Sequence, residues 1–123
     1  AVTLRFRLPA DRDPAAPLVL DFAGSGLRDV RVNARDCQPR AVHDHVLIPA
    51  DLLNRDRNAI QAKFTSPVAP TGTPLTVYRD PADLREYFYT LVVPADAHRL
   101  YPCFDQPDVR ARFRFELELP SDW

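Results

Sequence analysis

The sequence predicts an all-β domain, an antiparallel β-sandwich or saddle-like sheet of short strands with minimal helix. Apolar and polar residues alternate with a period of two, most clearly from Val2 to Leu8 and from Val109 to Leu119, which is the pattern of half-buried strands. About seven or eight such runs are separated by turn signals, the spacing of a sandwich or barrel-like sheet. Thirteen prolines against three glycines stiffen the connections by fixing φ, which suits many short strands and few long helices.

Val2, Leu4, Phe6 and Leu8 alternate with Thr3, Arg5 and Arg7, so the chain opens inside a strand. We expect this strand to lack a partner and residues before Ala1 to be missing, with 1–123 a single β-domain truncated at both ends. Pro9 to Pro17 reads as a polar loop, Leu18–Phe22 as a strand, Gly24-Ser25-Gly26 as a hairpin turn, and Leu27–Val32 as the next strand. Asn33–Arg40 is a turn region leading into a strand over Ala41–Ile48. Pro49–Leu53 suggests one helical turn, Arg55–Asn58 a polar turn, and Ala59–Phe64 a strand with Ile60, Ala62 and Phe64 inward. Ser66–Pro74 is a loop, Thr76–Tyr78 a brief edge strand and Asp80–Asp83 a turn. Tyr87–Val93, aromatic and β-branched throughout, predicts a central strand covered on both faces. Pro94–Arg99 turns, and Val109–Leu119 closes as a strand with Phe113, Phe115, Leu117 and Leu119 on one face. The last third, Tyr87–Trp123, is expected to be the part against which the upstream sheet packs.

A chain of 123 residues forms one domain and buries roughly two-thirds of the surface its unfolded form exposes. Sixteen basic against seventeen acidic residues create no global field for nucleic acid or an anionic membrane. Arg112 and Arg114 share their outer face with Glu116 and Glu118, which also argues against a nucleic-acid groove. No apolar run has membrane-spanning length and no charged-then-apolar leader opens the sequence. We therefore expect a soluble cytoplasmic protein with reduced cysteines at Cys37 and Cys103. Unpaired strand edges predict self-association through an exposed strand.

The residues that carry chemistry elsewhere have bland readings here. His43 and His45 lie two apart, a spacing that chelates a metal on one strand face only if a third ligand arrives, and His98 is the remaining histidine. We read them as solvated strand or loop residues. Gly24 and Gly26 lack the further glycines and following helix of a phosphate cradle. Asp105 and Asp108 flank Gln106-Pro107 as turn formers rather than paired catalytic acids, and Arg99 is expected to pair with Asp105. Neither cysteine has a histidine nearby in sequence or a helix N-terminus to activate it.

The order Tyr87-Phe88-Tyr89-Thr90, Pro94-Ala95-Asp96-Ala97-His98-Arg99, Pro102-Cys103-Phe104-Asp105-Gln106-Pro107-Asp108 and Leu119-Pro120-Ser121-Asp122-Trp123 resembles the N-terminal domain of M1-family zinc aminopeptidases of the aminopeptidase N type. Leu18–Phe22, Val30–Asn33, Ile48–Leu53 and the Asp80-Pro81 turn are similar too, so the resemblance covers nearly the whole chain. It implies a saddle-shaped β-domain in front of a thermolysin-like catalytic domain of the same polypeptide. There a helical HExxH, a distant Glu and a GxMEN-type loop hold zinc and substrate. The HExxH and GxMEN signatures are absent from these residues, so the resemblance implies no cofactor and no catalysis in this chain, with zinc in the downstream domain.

One departure bears on function. After the Tyr-rich strand the family carries a Gln and, two residues on, a Glu that help bind the substrate's α-amine. The matching positions are Leu91 and Val93, which we expect to face substrate as an apolar wall unable to accept a hydrogen bond from an ammonium group. The parent then relies on its downstream Glu, takes substrates without a free amine, or keeps the fold without peptidase activity. The leading expectation is a non-catalytic domain shaping the substrate entrance of an M1-type metallo-aminopeptidase. The alternative is an independent β-sandwich binding or assembly module.

Overall fold

A computed structural model describes residues 1–69 and 72–121. Pro70 and Thr71 of the loop expected over 66–74, and Asp122 and Trp123 of the closing motif, lie outside the described residues. The architecture is all-β, with antiparallel sheets and, among the described residues, two single 3-10 turns. Among the described residues no helix is long and apolar enough to cross a membrane.

The first sheet has the order β1 (Val2–Arg7), β7 (Arg57–Thr65), β3 (Ser25–Val32) and β4 (Arg35–Asp36). The second has the order β2 (Leu18–Asp21), β6 (His45–Ile48) and β5 (Arg40–Val42). β8 (Leu75–Arg79) and β9 (Glu86–Thr90) form a separate two-stranded ribbon. The alternation in the sequence sets which face is buried. Leu4 opposite Ile60 and Val2 opposite Ala62 point inward from β1 and β7, while Thr3 opposite Gln61 and Arg5 opposite Ala59 point outward. Val30, Val32, Ile60 and Ala62 of the first sheet meet Leu18, Leu20, Val46 and Ile48 of the second in one buried core. Leu20, Ile48, Ile60 and Val32 are enclosed almost completely, each contributing about 1.5–3 kcal/mol relative to exposure. Pro49 precedes the 3-10 turn Ala50–Leu52 where a helical turn was expected.

Several expectations change. The opening strand does have a partner: β1 pairs with β7 along its full length, leaving only its other edge open. The span 41–48 is a hairpin rather than one strand, because His43 adopts a positive φ of 52° and reverses the chain between β5 and β6. Gly24-Ser25-Gly26 is not a hairpin turn. It carries the chain from β2 in one sheet to β3 in the other, and Gly26, at φ +60°, lies where the β3–β7 register shifts.

The last third does not organise the domain. The buried apolar core is drawn from residues 18–62. The expected central strand over 87–93 is β9, an edge strand paired with β8 in the two-stranded ribbon and exposed on both faces. Val109–Leu119 forms no strand, and Phe113, Phe115, Leu117 and Leu119 stay exposed. Alternation buries a face only where a neighbouring strand completes the hydrogen bonding, and none among the described residues lies alongside this run. Phe113 and Phe115 instead stack on each other, with centroids 5.8 Å apart.

Candidate functional site

The two positions singled out by sequence sit just past β9. Thr90 is the last paired residue, opposite Leu75, and the Leu91 amide donates to the Pro74 carbonyl at 3.0 Å. The backbone then turns, the Asp96 amide donating to the Val92 carbonyl at 3.1 Å before the 3-10 turn Ala97–Arg99. Leu91 and Val93 are 64% and 73% exposed, with half-buried Val92 between them. Two apolar side chains are thus held out to solvent by a backbone anchored on both sides. They offer contact area and no hydrogen-bond acceptor.

The anchor on the C-terminal side is the Cys103-Phe104-Asp105 segment, stapled to β2. Asp21 and Cys103 exchange backbone hydrogen bonds of 2.9 and 3.1 Å. The Asp21 carboxylate accepts from the Asp105 amide at 2.9 Å through Oδ2 and meets His45 Nδ1 at 2.9 Å through Oδ1. Asp105 Oδ2 in turn accepts from the His98 amide at 3.0 Å and meets His98 Nδ1 at 2.7 Å. The His98 carbonyl accepts from the Ala23 amide at 2.9 Å. Phe104 packs edge-on against Phe6, centroids 5.1 Å apart, so the staple reaches into the core. The Ser66 hydroxyl donates to the Leu100 carbonyl.

This arrangement holds a loop in place. The expected Arg99–Asp105 pair is replaced by His98–Asp105, because the 3-10 turn aims His98 at the carboxylate and turns Arg99 toward Asp96 at 3.5 Å. Asp105 is committed to His98 while Asp108 is exposed on the far side of the Pro107 turn. His45 and His98 are each held by a carboxylate, and His43 lies in the β5–β6 turn. Among the described residues no three histidines, cysteines or carboxylates gather to hold a metal, so they do not fit the zinc that the resemblance implies for its parent. Burial, then the charges of Asp105 and Asp21, pushes the Cys103 thiol up to about 12, which leaves it protonated and inert as a nucleophile. Burial, reinforced by Asp51, also raises Cys37, and both cysteines are free thiols.

Sequence reasoning missed the Asp21, His45, His98 and Asp105 relay. Asp21 and Asp105 are separated by 84 residues, and no local spacing signals a contact of that range.

Residues 30–123 match the family model described as the peptidase M1 N-terminal domain. The chain is similar to aminopeptidase N of Streptomyces lividans, 28% identical over 104 residues that make up 85% of this chain and 12% of that protein. It is also similar to the probable M1 family aminopeptidase 1 of Encephalitozoon cuniculi (strain GB-M1), 43% identical over 37 residues, 30% of this chain and 4% of that protein. Aminopeptidase M1-A of Oryza sativa subsp. japonica is 38% identical over 47 residues, 38% of this chain and 5% of that protein. The chain therefore spans about an eighth or less of the length of these relatives.

Proposed function

The chain belongs to the peptidase M1 N-terminal domain family, and from that premise we propose that it shapes the substrate entrance of a zinc-bearing catalytic domain in the same polypeptide. Leu91 and Val93 form one wall of that entrance. The observation that carries the reading is that both side chains stand exposed on a backbone anchored on both sides, by the Leu91–Pro74 hydrogen bond and by the staple from Asp21 to Asp105.

The wider surface fits the same role. Tyr87 and Tyr89, together with Phe113, Phe115, Leu117 and Leu119, are all exposed. So many large apolar side chains left in water mark a surface that another body covers, and the catalytic domain is that body. The staple from Asp21 to Asp105 fixes the loop bearing Leu91 and Val93 relative to the core, so that the wall keeps its place when substrate presses on it. Catalysis depends on such positioning because a displacement of about 1 Å costs on the order of 100-fold in rate. An apolar wall contributes contact area to a peptide side chain and leaves recognition of the free amine to groups outside this chain.

The test is the double substitution Leu91→Gln with Val93→Glu in the full-length polypeptide. A new carboxylate contact to an ammonium group contributes roughly 1.5–3 kcal/mol, so the KM for peptides with a free amine falls by about tenfold or more. KM for N-acetylated peptides stays unchanged. Unchanged KM for both would remove these positions from the entrance.

A further inference from the structure

The outward face of the four-stranded sheet separates charge in a way that the entrance role does not use. At one end, cations are neutralised at close range: Arg31 Nε lies 2.9 Å from Asp36 and Lys63 Nζ 2.8 Å from Asp29. At the other end the pairing is looser and shared. Arg5 and Arg7 point outward from β1, two residues and so about 7 Å apart, and Arg57 on β7 lies directly opposite Arg7. Like charges directly opposite on a sheet destabilise it, yet among the described residues a single carboxylate serves the group. Asp56 is 3.7 Å from Arg7 Nε and 3.8 Å from Arg57 Nε, beyond hydrogen-bond length on both sides. Arg5 faces Ala59, whose methyl group leaves the floor between the guanidinium groups open. A hollow of about 710 Å³ lies there, lined by Arg5, Arg7, Arg57 and Ala59 together with Phe6, Asn33 and Asn58.

We propose that this corner binds a compact, multiply charged oxyanion of the phosphate type, held by Arg5, Arg7 and Arg57 over the Ala59 floor. Guanidinium groups present planar forks that match phosphate oxygens two at a time, and three of them around one hollow leave an excess of positive charge for the ligand to neutralise. The ligand is compact because the positive stripe ends at Gln61, where the ion pairs begin. A polyanion tracking its backbone along the sheet needs that stripe to continue. The net charge of −1 over the whole chain makes the local excess a property of this corner.

The experiment titrates the 123-residue chain with inorganic phosphate, a phosphate monoester and pyrophosphate against chloride at matched ionic strength, following backbone amide shifts. Saturable shifts centred on Arg5, Arg7, Arg57 and Ala59 are expected. Free phosphate and monoester binding equally assigns the phosphoryl group alone as the recognised element, and a preference for the monoester extends recognition to what it carries. Arg57→Gln and Arg5→Gln each weaken binding by about tenfold, whereas Arg31→Gln changes it less than about twofold, as expected of a cation already neutralised. Near-ultraviolet circular dichroism confirms that the variants keep their packing. Absence of saturation with all three anions, equal loss in Arg31→Gln, or tighter binding of a glutamate-rich peptide or an oligonucleotide than of pyrophosphate would overturn the proposal.

Discussion

Replacing Asp105 by Ala removes the group that ties the 3-10 turn Ala97–Arg99 to the rest of the staple. The Asp105 carboxylate accepts from the His98 backbone amide at 3.0 Å and from its ring at 2.7 Å, and its side chain is 12% exposed, so solvent replaces little of what is lost. Hydrogen bonds to a charged group contribute about 1.5–3 kcal/mol each. Allowing for partial compensation by water, we expect the substitution to cost roughly 2–4 kcal/mol. The cost falls locally, because the core from residues 18–62 keeps its contacts while the loop from Leu91 to Asp105 loses an anchor. Hydrogen exchange reads this directly. The Ala23 amide, bonded to the His98 carbonyl, and the Cys103 amide, bonded to Asp21, should exchange roughly 30-fold faster or more. Amides of Ile60 and Val46 in the core should change far less. If Ala23 and Cys103 exchange at their original rates, or if core amides accelerate equally, the staple is not what holds the loop.

Further consequences concern stability, ionisation and assembly. Asn58 is buried, with its side chain bonded to Asn33, the Asn54 amide and carbonyl, and the Asp56 carbonyl. Asn58→Ala strands several of these groups, so urea denaturation should show a loss of about 2–4 kcal/mol, and a loss under about 0.5 kcal/mol would contradict the network. Cys103 has a folded pKa raised to about 12 from an ordinary value of 9.0. Its contribution to stability is therefore complete below about pH 9 and is lost as pH rises toward 12. Urea melts at pH 8 and 10.5 should fall further in the native chain than in Cys103→Ala, and equal falls would refute the assignment. The open edge of β1 is proposed to draw a second copy. Sedimentation should give a mass that rises with concentration, and a constant monomer mass removes that proposal.

Legibility in the sequence followed the range of the interactions. β1 and the stretch 59–64 of β7 were readable from the alternation within each, whereas their pairing, and the start of β7 at Arg57 and Asn58, were not. The 3-10 turn after Pro49 and the turn between β8 and β9 were readable from a proline with an aspartate close by, Pro49 with Asp51 and Pro81 with Asp80. The same alternation misled at Val109–Leu119, since a pattern specifies which face is apolar and says nothing of whether a strand stands beside it. The His43 reversal carries no glycine or asparagine to announce its positive φ. Asn58 looked like a turn residue because its four side-chain hydrogen bonds go to Asn54, Asp56 and the distant Asn33, and only the fold brings Asn33 alongside. At the site, Leu91 and Val93 were singled out by resemblance and lie exposed on an anchored loop. The relay from Asp21 to Asp105 had no local signature, because one partner lies on β2 and the other after the last 3-10 turn.

The proposed role of this domain as a wall of the substrate path is tested most directly by photo-cross-linking. A photoreactive amino acid placed at Leu91 in the full-length polypeptide, irradiated with a labelled peptide, should yield a covalent adduct that excess unlabelled peptide suppresses. An adduct that never forms, or one that the competitor leaves untouched, would contradict the account.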